Sequence, residues 1–248
     1  MELRGKNCIV TGSGRGIGRA IALSLARDGA FVVVNGRKRE DEAKETLRLV
    51  RDAGGDGTLV MADVSTRDGC RKVVDAVPGI LHVLVNNAGL GLYSPFRDLK
   101  DEAIVRQVNV NFLSALYCTQ EALAKMSEGV VVNLSSITGL MPSPGLSVYG
   151  AMKAALISLT KTLAVELAPI RVNAVAPGVV STKMGESLLD ILGEGWERRN
   201  TLTGRVVDPE EVADAVKFLI RNDSITGEVL TLDGGTTLVG RLTRGERP

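Results

Sequence analysis

Short runs of Val, Ile and Leu alternate with longer amphipathic stretches from one end of this chain to the other, and nothing else in the sequence constrains its fold as tightly. The runs predict strands at 7–10, 31–34, 58–61, 83–85, 130–134, 172–175 and 229–232. Their apolar residues stand on consecutive positions, the pattern of strands covered on both faces. Helices are predicted over 17–28, 39–53, 103–126, 148–168 and 209–220. The first ends at Gly29 and the second at Gly54-Gly55. The fourth ends before Pro169, and the fifth opens with Asp208-Pro209-Glu210-Glu211. These are ordinary helix stops and starts. Alternation of this kind specifies an α/β fold with one parallel sheet and helices on both faces.

No linker, repeat or low-complexity segment interrupts the pattern, so residues 1–248 read as one domain. The least regular segment is 181–203, expected on the substrate side, and 236–248 reads as a C-terminal tail. Thirty Lys plus Arg against 29 Asp plus Glu leave a net charge of +1, which gives no reason to expect nucleic acid or an anionic membrane as partner. No uninterrupted apolar run approaches the roughly 18 residues of a membrane span. The start, Met1-Glu2-Leu3-Arg4-Gly5-Lys6, has no apolar signal region, so a cytoplasmic protein is expected. Cys8, Cys70 and Cys118 are widely spaced, and His82 is the single histidine, within an apolar run. A histidine-based metal site, a Ser-His-Asp triad and a Cys-His pair are therefore excluded within the chain. The cysteines read as small buried hydrophobes, and His82 as a strand-entry residue.

The first strand runs into Thr11-Gly12-Ser13-Gly14-Arg15-Gly16-Ile17-Gly18, and a helix follows. Glycines at such a turn let backbone approach a pyrophosphate and aim helix N–H groups at it. A glycine motif alone is weak evidence, but this one lies in the strand–turn–helix context that gives it meaning. The second strand ends in Val34-Asn35-Gly36-Arg37-Lys38-Arg39, without the carboxylate that usually meets a free ribose 2′-hydroxyl. Arg37 and Arg15 suit a 2′-phosphate through charge-assisted bonds, although a solvated basic loop has the same composition. NADP(H) is therefore expected in preference to NAD(H).

Tyr149 and Lys153 are four apart, on one face of a predicted helix. A positive charge beside a tyrosine favours phenolate and would bring its pKa from about 10 toward neutrality. Such pairs are common on helix surfaces, and company distinguishes this one. Ser135-Ser136 closes one strand and Asn86-Asn87-Ala88-Gly89 another, so all of these groups meet at the carboxyl edge of the sheet beside the glycine turn.

Taken together, these motifs resemble the short-chain dehydrogenase/reductase family. The resemblance rests on Thr11-Gly12-xxx-Gly16-Ile17-Gly18, Ala62-Asp63-Val64, Leu84-Val85-Asn86-Asn87-Ala88-Gly89 and Val110-Asn111. It continues through Asn133-Leu134-Ser135-Ser136, Tyr149-xxx-Lys153, the run from Arg171 to Gly178 and Leu230-Thr231-Leu232-Asp233-Gly234-Gly235. It implies a single Rossmann-type domain, a doubly wound, seven-stranded parallel sheet, and hydride transfer between nicotinamide and a carbonyl or secondary alcohol. In it Tyr149 is the acid/base, Lys153 lowers the tyrosine pKa and holds the ribose, Ser136 polarises the carbonyl, and Asn111 holds a relaying water. Gly12, Ser13, Arg15, Gly16, Ile17, Gly18 and Arg37 belong to the cofactor set. Asp63 and Val64 face adenine, and Asn87, Ala88 and Gly89 the adenine ribose. Pro177 and Gly178 join the set, with Val180 and Thr182 at the carboxamide. No metal is required. Homotetramers or dimers are implied, with 103–126 and 148–168 at the interface.

Substrate contacts are expected from 90–96, 138–146 and 181–203, with Ser136, Leu140, Met141 and Tyr149 closest. Leu90, Leu92, Tyr93, Phe96, Leu140 and Met141 suggest aliphatic walls, and Trp196 either packs on the body or forms part of a lid. Reduction of 3-oxoacyl groups on acyl carrier protein is one reading, set back by the lack of a basic residue in Met126-Ser127-Glu128-Gly129. Sugars, polyols and other ketones are alternatives. A non-catalytic dinucleotide sensor is a further one, opposed by the full set of Asn111, Ser136, Tyr149 and Lys153.

Overall fold

The computed structural model describes residues 1–239. The seven apolar runs form seven parallel strands: β1 (Asn7–Val10), β2 (Phe31–Gly36), β3 (Asp56–Met61), β4 (Val83–Asn86), β5 (Val130–Leu134), β6 (Arg171–Pro177) and β7 (Val229–Leu232). Their order in the sheet is β3-β2-β1-β4-β5-β6-β7. The chain winds outward from β1 to β3 and then crosses back to β4, so the sheet changes winding direction between β1 and β4. That is where a crevice opens at the carboxyl edge of such a sheet.

Both faces are covered, which is why the strands carry no polar alternation. Cys8 and Val10 of β1 enter one core with Ile21, Leu25, Val216 and Leu219, while Ile9 enters the other with Val73, Cys118 and Val172. The first core lies under α1 (Gly16–Arg27), α2 (Glu40–Asp52) and α9 (Pro209–Arg221); the second lies under α3 (Arg67–Asp75) and α5 (Ser114–Ala122). All three cysteines are buried and free. His82 precedes β4, and its Nδ1 accepts a bond of 3.1 Å from the Asn7 N–H.

The structure departs from the sequence expectation in several elements. The helix expected over 103–126 is three pieces: α4 (Asp101–Val108), a π turn (Asn109–Leu113) and α5. The wider turn shifts the helical phase and turns Asn111 inward. α3 was not expected; it starts where the Thr66 hydroxyl accepts the Gly69 N–H. Segment 181–203 is more regular than expected. It forms α7 (Lys183–Leu192), capped by the Thr182 hydroxyl, and α8 (Trp196–Asn200). The expected tail begins as a helical turn, α10 (Thr236–Val239), and residues 240–248 lie outside the described residues. α6 (Ser147–Glu166) is long and apolar enough to cross a membrane by length and composition, although Lys153 and Lys161 interrupt it. It packs instead on β6 and on the turn after β5.

Candidate active site

The glycine turn is held by side chains from the neighbouring strand ends. Thr11 Oγ1 accepts the N–H groups of Asn87 and Ala88, each at 3.0 Å, and Asn87 Nδ2 donates to the Thr11 carbonyl at 2.8 Å. Asn35 Oδ1 accepts the Gly12 N–H at 3.0 Å, while its Nδ2 donates to the carbonyls of Val60 and Ala62. One buried amide thus ties the turn to β2 and β3. The sequence reading missed this role, although a polar residue ending an all-apolar strand was its signal. Gly12 and Gly16 have φ of +63° and +54°, conformations that favour glycine. At Gly18 a Cβ would stand 2.5 Å from both Asn87 Nδ2 and the Gly12 carbonyl, so only glycine lets α1 approach so closely. The N-cap residue of α1, Arg15, makes no side-chain cap bond, and the start of the helix lies at the cavity wall beside Gly14. These features fit a dinucleotide pyrophosphate. Ser13 departs from expectation: it is fully buried, donates to the Val10 carbonyl at 2.7 Å and accepts the Asn35 N–H.

At the adenosine end, Arg37 Nη1 lies 3.1 Å from Asp63 Oδ2. Burial alone would raise the Asp63 carboxyl. Hydrogen bonds from Ser65 and the Arg37 guanidinium override it and hold the group below the usual carboxylate range. Arg15 Nε stands 3.7 Å from Glu42 Oε2, and Arg39 Nη1 donates to Glu42 Oε1 at 2.9 Å. Arg15, Arg37, Arg39, Asp63 and Glu42 all line the cavity.

Ser136, Tyr149 and Lys153 converge because two glycines allow the turn after β5 to rest on α6. A Cβ on Gly139 would meet the Lys153 backbone at 2.7 Å, and one on Gly150 the Thr138 carbonyl at 2.8 Å. Lys153 Nζ donates to the Leu134 carbonyl at 2.6 Å and stands 5.5 Å from the Tyr149 ring centre. Burial pushes the Tyr149 phenol up to about 12, against a hydrogen bond with Ser136. Burial likewise pushes Lys153 down to about 8. The expected lowering of the tyrosine by the lysine is therefore absent, because desolvation dominates and the ammonium is directed at Leu134. Tyr149 stands as a neutral phenol with a proton to give. Asn111 does not line the cavity. Its Oδ1 accepts the Leu90 N–H and its Nδ2 donates to the Leu90 carbonyl, both at 2.8 Å. Its side chain is thus committed to shaping the loop after β4.

Ser136, Tyr149 and Lys153 share one cavity of about 1970 Å³ with the glycine turn and the arginines at the adenosine end. Ile17, Val64, Asn87, Ala88, Gly89, Pro177, Gly178, Val180 and Thr182 line it with the glycine turn. Thr182 reaches across to Gly16, where a Cβ would meet its methyl at 3.4 Å. Away from the glycine turn the lining mixes apolar Tyr93, Met141, Leu146, Met184, Leu188 and Trp196 with polar Arg106, Ser143, Glu186, Arg199 and Asn200. Leu140 and Phe96, expected there, lie outside the wall and are 47% and 79% exposed. α7 and α8 line the cavity, as expected of segment 181–203, with Met184, Leu188 and Trp196.

Residues 12–237 match a family model described as Enoyl-(Acyl carrier protein) reductase. The chain is 39% identical to a 3-oxoacyl-(acyl-carrier-protein) reductase of Thermotoga maritima, over 96% of this chain and 100% of that one. It is 37% identical to 3beta-hydroxysteroid dehydrogenase 1 of Eggerthella lenta, over 96% and 95%. Its fold is similar to that of a short chain dehydrogenase from Burkholderia cenocepacia in complex with NADP, with a TM-score of 0.89 and 35% identity over 96% of this chain and 100% of that one.

Proposed function

Because the chain belongs to the short-chain dehydrogenase/reductase family and is an oxidoreductase, we propose that it is an NADP(H)-preferring ketoreductase of bulky apolar carbonyl compounds, oxidising the matching alcohols in reverse. The observation that carries this reading is the convergence of Ser136, Tyr149 and Lys153 in one cavity with the uncapped glycine turn.

Within that cavity the backbone N–H groups of the glycine turn would hold a dinucleotide pyrophosphate, and Arg15 and Arg37 would suit a 2′-phosphate. The chemistry a bound nicotinamide supplies there is hydride transfer to the carbonyl carbon. Tyr149 delivers its phenolic proton to the carbonyl oxygen as negative charge develops, and Ser136 Oγ donates a second bond to that oxygen. Lys153, near its own titration at about 8 and anchored at Leu134, returns a proton toward the phenolate. Asn111 positions Leu90 and the loop that follows β4.

Tyr93, Met141, Leu146, Met184, Leu188 and Trp196 support a bulky aliphatic or polycyclic ketone, although Arg106, Glu186, Arg199 and Asn200 line the same cavity and would suit a more polar one. Carrier-protein substrates are a second reading, favoured by the Thermotoga maritima relative. Lys125 caps α3 through the Asp75 and Val77 carbonyls and Arg171 binds the carbonyls of Leu219, Ile220 and Ile225, so a carrier would have to use the cations that line the cavity, Arg106, Lys183 and Arg199. α4 and α6 also expose Val105 and Val165, the latter 80% exposed, which supports a homo-oligomer assembled through these helices.

NADPH and NADH oxidation across polycyclic ketones, diketones, 3-oxoacyl thioesters and keto-sugars tests the reading. Faster turnover with NADPH on the apolar ketones is expected. Tight NADPH binding without turnover of any substrate, in either direction, would favour a dinucleotide sensor instead.

A further inference from the structure

Glu42 is the least expected side chain at the adenosine end of the cavity. It sits in the first turn of α2, where its backbone carbonyl accepts Arg19 Nη2 at 2.9 Å and the Thr46 hydroxyl at 3.1 Å. Its carboxylate thereby has a fixed base. It points into a ring of cations drawn from three elements: Arg15 from the glycine turn, Arg39 before α2, and Lys183 from the first turn of α7. Burial alone would raise this carboxyl. The Arg39 bond and the fields of Arg15, Arg39 and Lys183 outweigh it, so the group is ionised at neutral pH.

We propose that Glu42 is a specificity-determining residue that weakens binding of the 2′-phosphate by competing for Arg15, one of the two cations offered to it, and by repelling its charge. The inference rests on the NADP(H) reading above, since it assumes that Arg15 serves that phosphate. An incoming phosphate must share Arg15 with the carboxylate and carries the same sign of charge as that carboxylate. A free 2′-hydroxyl makes no such demand. The opposite effect, Glu42 helping by pre-ordering the arginines, is the smaller one: Arg15 is half exposed and its contact is 3.7 Å, and exposed pairs of this kind order little. Glu42 thus leaves the site partly open to NAD(H), although the strand end carries arginine.

The test is the dissociation constant of NADPH, NADH, adenosine 2′,5′-bisphosphate and 5′-AMP, by calorimetry, for the full chain and its Glu42→Gln variant. Glutamine keeps the shape and an acceptor for Arg39 while removing the charge. The two 2′-phosphorylated ligands should bind about fivefold more tightly. NADH and 5′-AMP should stay within about twofold, and the gain should shrink at high salt. Glu42→Ala, which removes the Arg39 bond as well, should show the same selective gain. Glu45→Gln, the same charge change at a pair with Arg48 away from the cavity, should show none. An equal gain for all four ligands, no gain, weaker binding of the phosphorylated pair, or the same gain in Glu45→Gln would overturn the proposal. The NADP(H) reading fails separately, if the unaltered chain binds NADH as tightly as NADPH; a selective gain in Glu42→Gln would still uphold the role of Glu42.

Discussion

Replacing Lys153 by methionine keeps the length of the side chain and removes a buried charge. The ammonium is buried, with its proton donated to the Leu134 carbonyl. Desolvation brings its pKa from 10.5 to about 8, which corresponds to about 3 kcal/mol of unfavourable burial when the group is charged. The unfolded chain therefore holds this proton up to about 10.5, whereas the folded chain releases it near 8. Stability rises with pH wherever the unfolded state binds more protons. The lysine contribution is thus fully present above the upper value and is lost as pH falls through the lower one. Between pH 7 and pH 10 the native chain should gain about 2–3 kcal/mol relative to Lys153→Met. Loss of the bond to Leu134 shifts the variant by a constant of about 1–3 kcal/mol, which leaves the slope untouched. Urea midpoints for both proteins at one concentration and four pH values measure the difference. The range stops at pH 10 because Tyr149, raised from 10.0 to about 12, reverses the trend above it. Parallel stability curves for the two proteins would refute the argument that burial sets the Lys153 pKa.

Three further outcomes are expected. Tyr149→Phe should lower turnover by about 10²–10⁴ through loss of the proton donor while leaving the NADPH dissociation constant within twofold; normal turnover would remove the tyrosine from the chemistry. Gly18→Ala places a methyl 2.5 Å from Asn87 Nδ2 and the Gly12 carbonyl. It should lower the melting temperature and weaken both nicotinamide cofactors together, and a selective loss of only one would contradict a purely steric effect. Asn35→Ala strips the acceptor from Gly12 and the donor from Val60 and Ala62. It should destabilise the chain by about 2–3 kcal/mol in chemical unfolding, and a change under about 0.5 kcal/mol would deny the amide its anchoring role.

Some features of the site were legible in the chain because they depend on short-range spacing. Apolar runs of three to five residues become parallel strands whatever their partners, buried throughout in β4 and β5 and partly exposed at the edges β3 and β7. A turn such as Gly12 to Gly18 keeps its meaning wherever it follows a strand. Tyr149 and Lys153 share a helix face at any orientation of the helix. Placing Ser136 and the Asn86-Asn87-Ala88-Gly89 end on the same edge followed from the parallel sense of the strands alone.

What only the tertiary structure decided are quantities that depend on partners distant in sequence. The π turn directs Asn111 inward, where its amide closes on Leu90, 21 residues earlier. Lys153 is directed at Leu134, and burial of both groups sets the titration of the pair against the simple expectation from proximity. Arg37 and Arg15 are cations in the sequence, but Asp63 and Glu42 govern how much of their charge the cavity sees. Resemblance places segment 181–203 at the cavity, but only the folded chain shows it as α7 and α8 lining that cavity, with Thr182 against Gly16. Backbone periodicity is a local property and survives in one dimension. Desolvation, ion pairing and cavity shape are sums over neighbours that the chain acquires only when it folds.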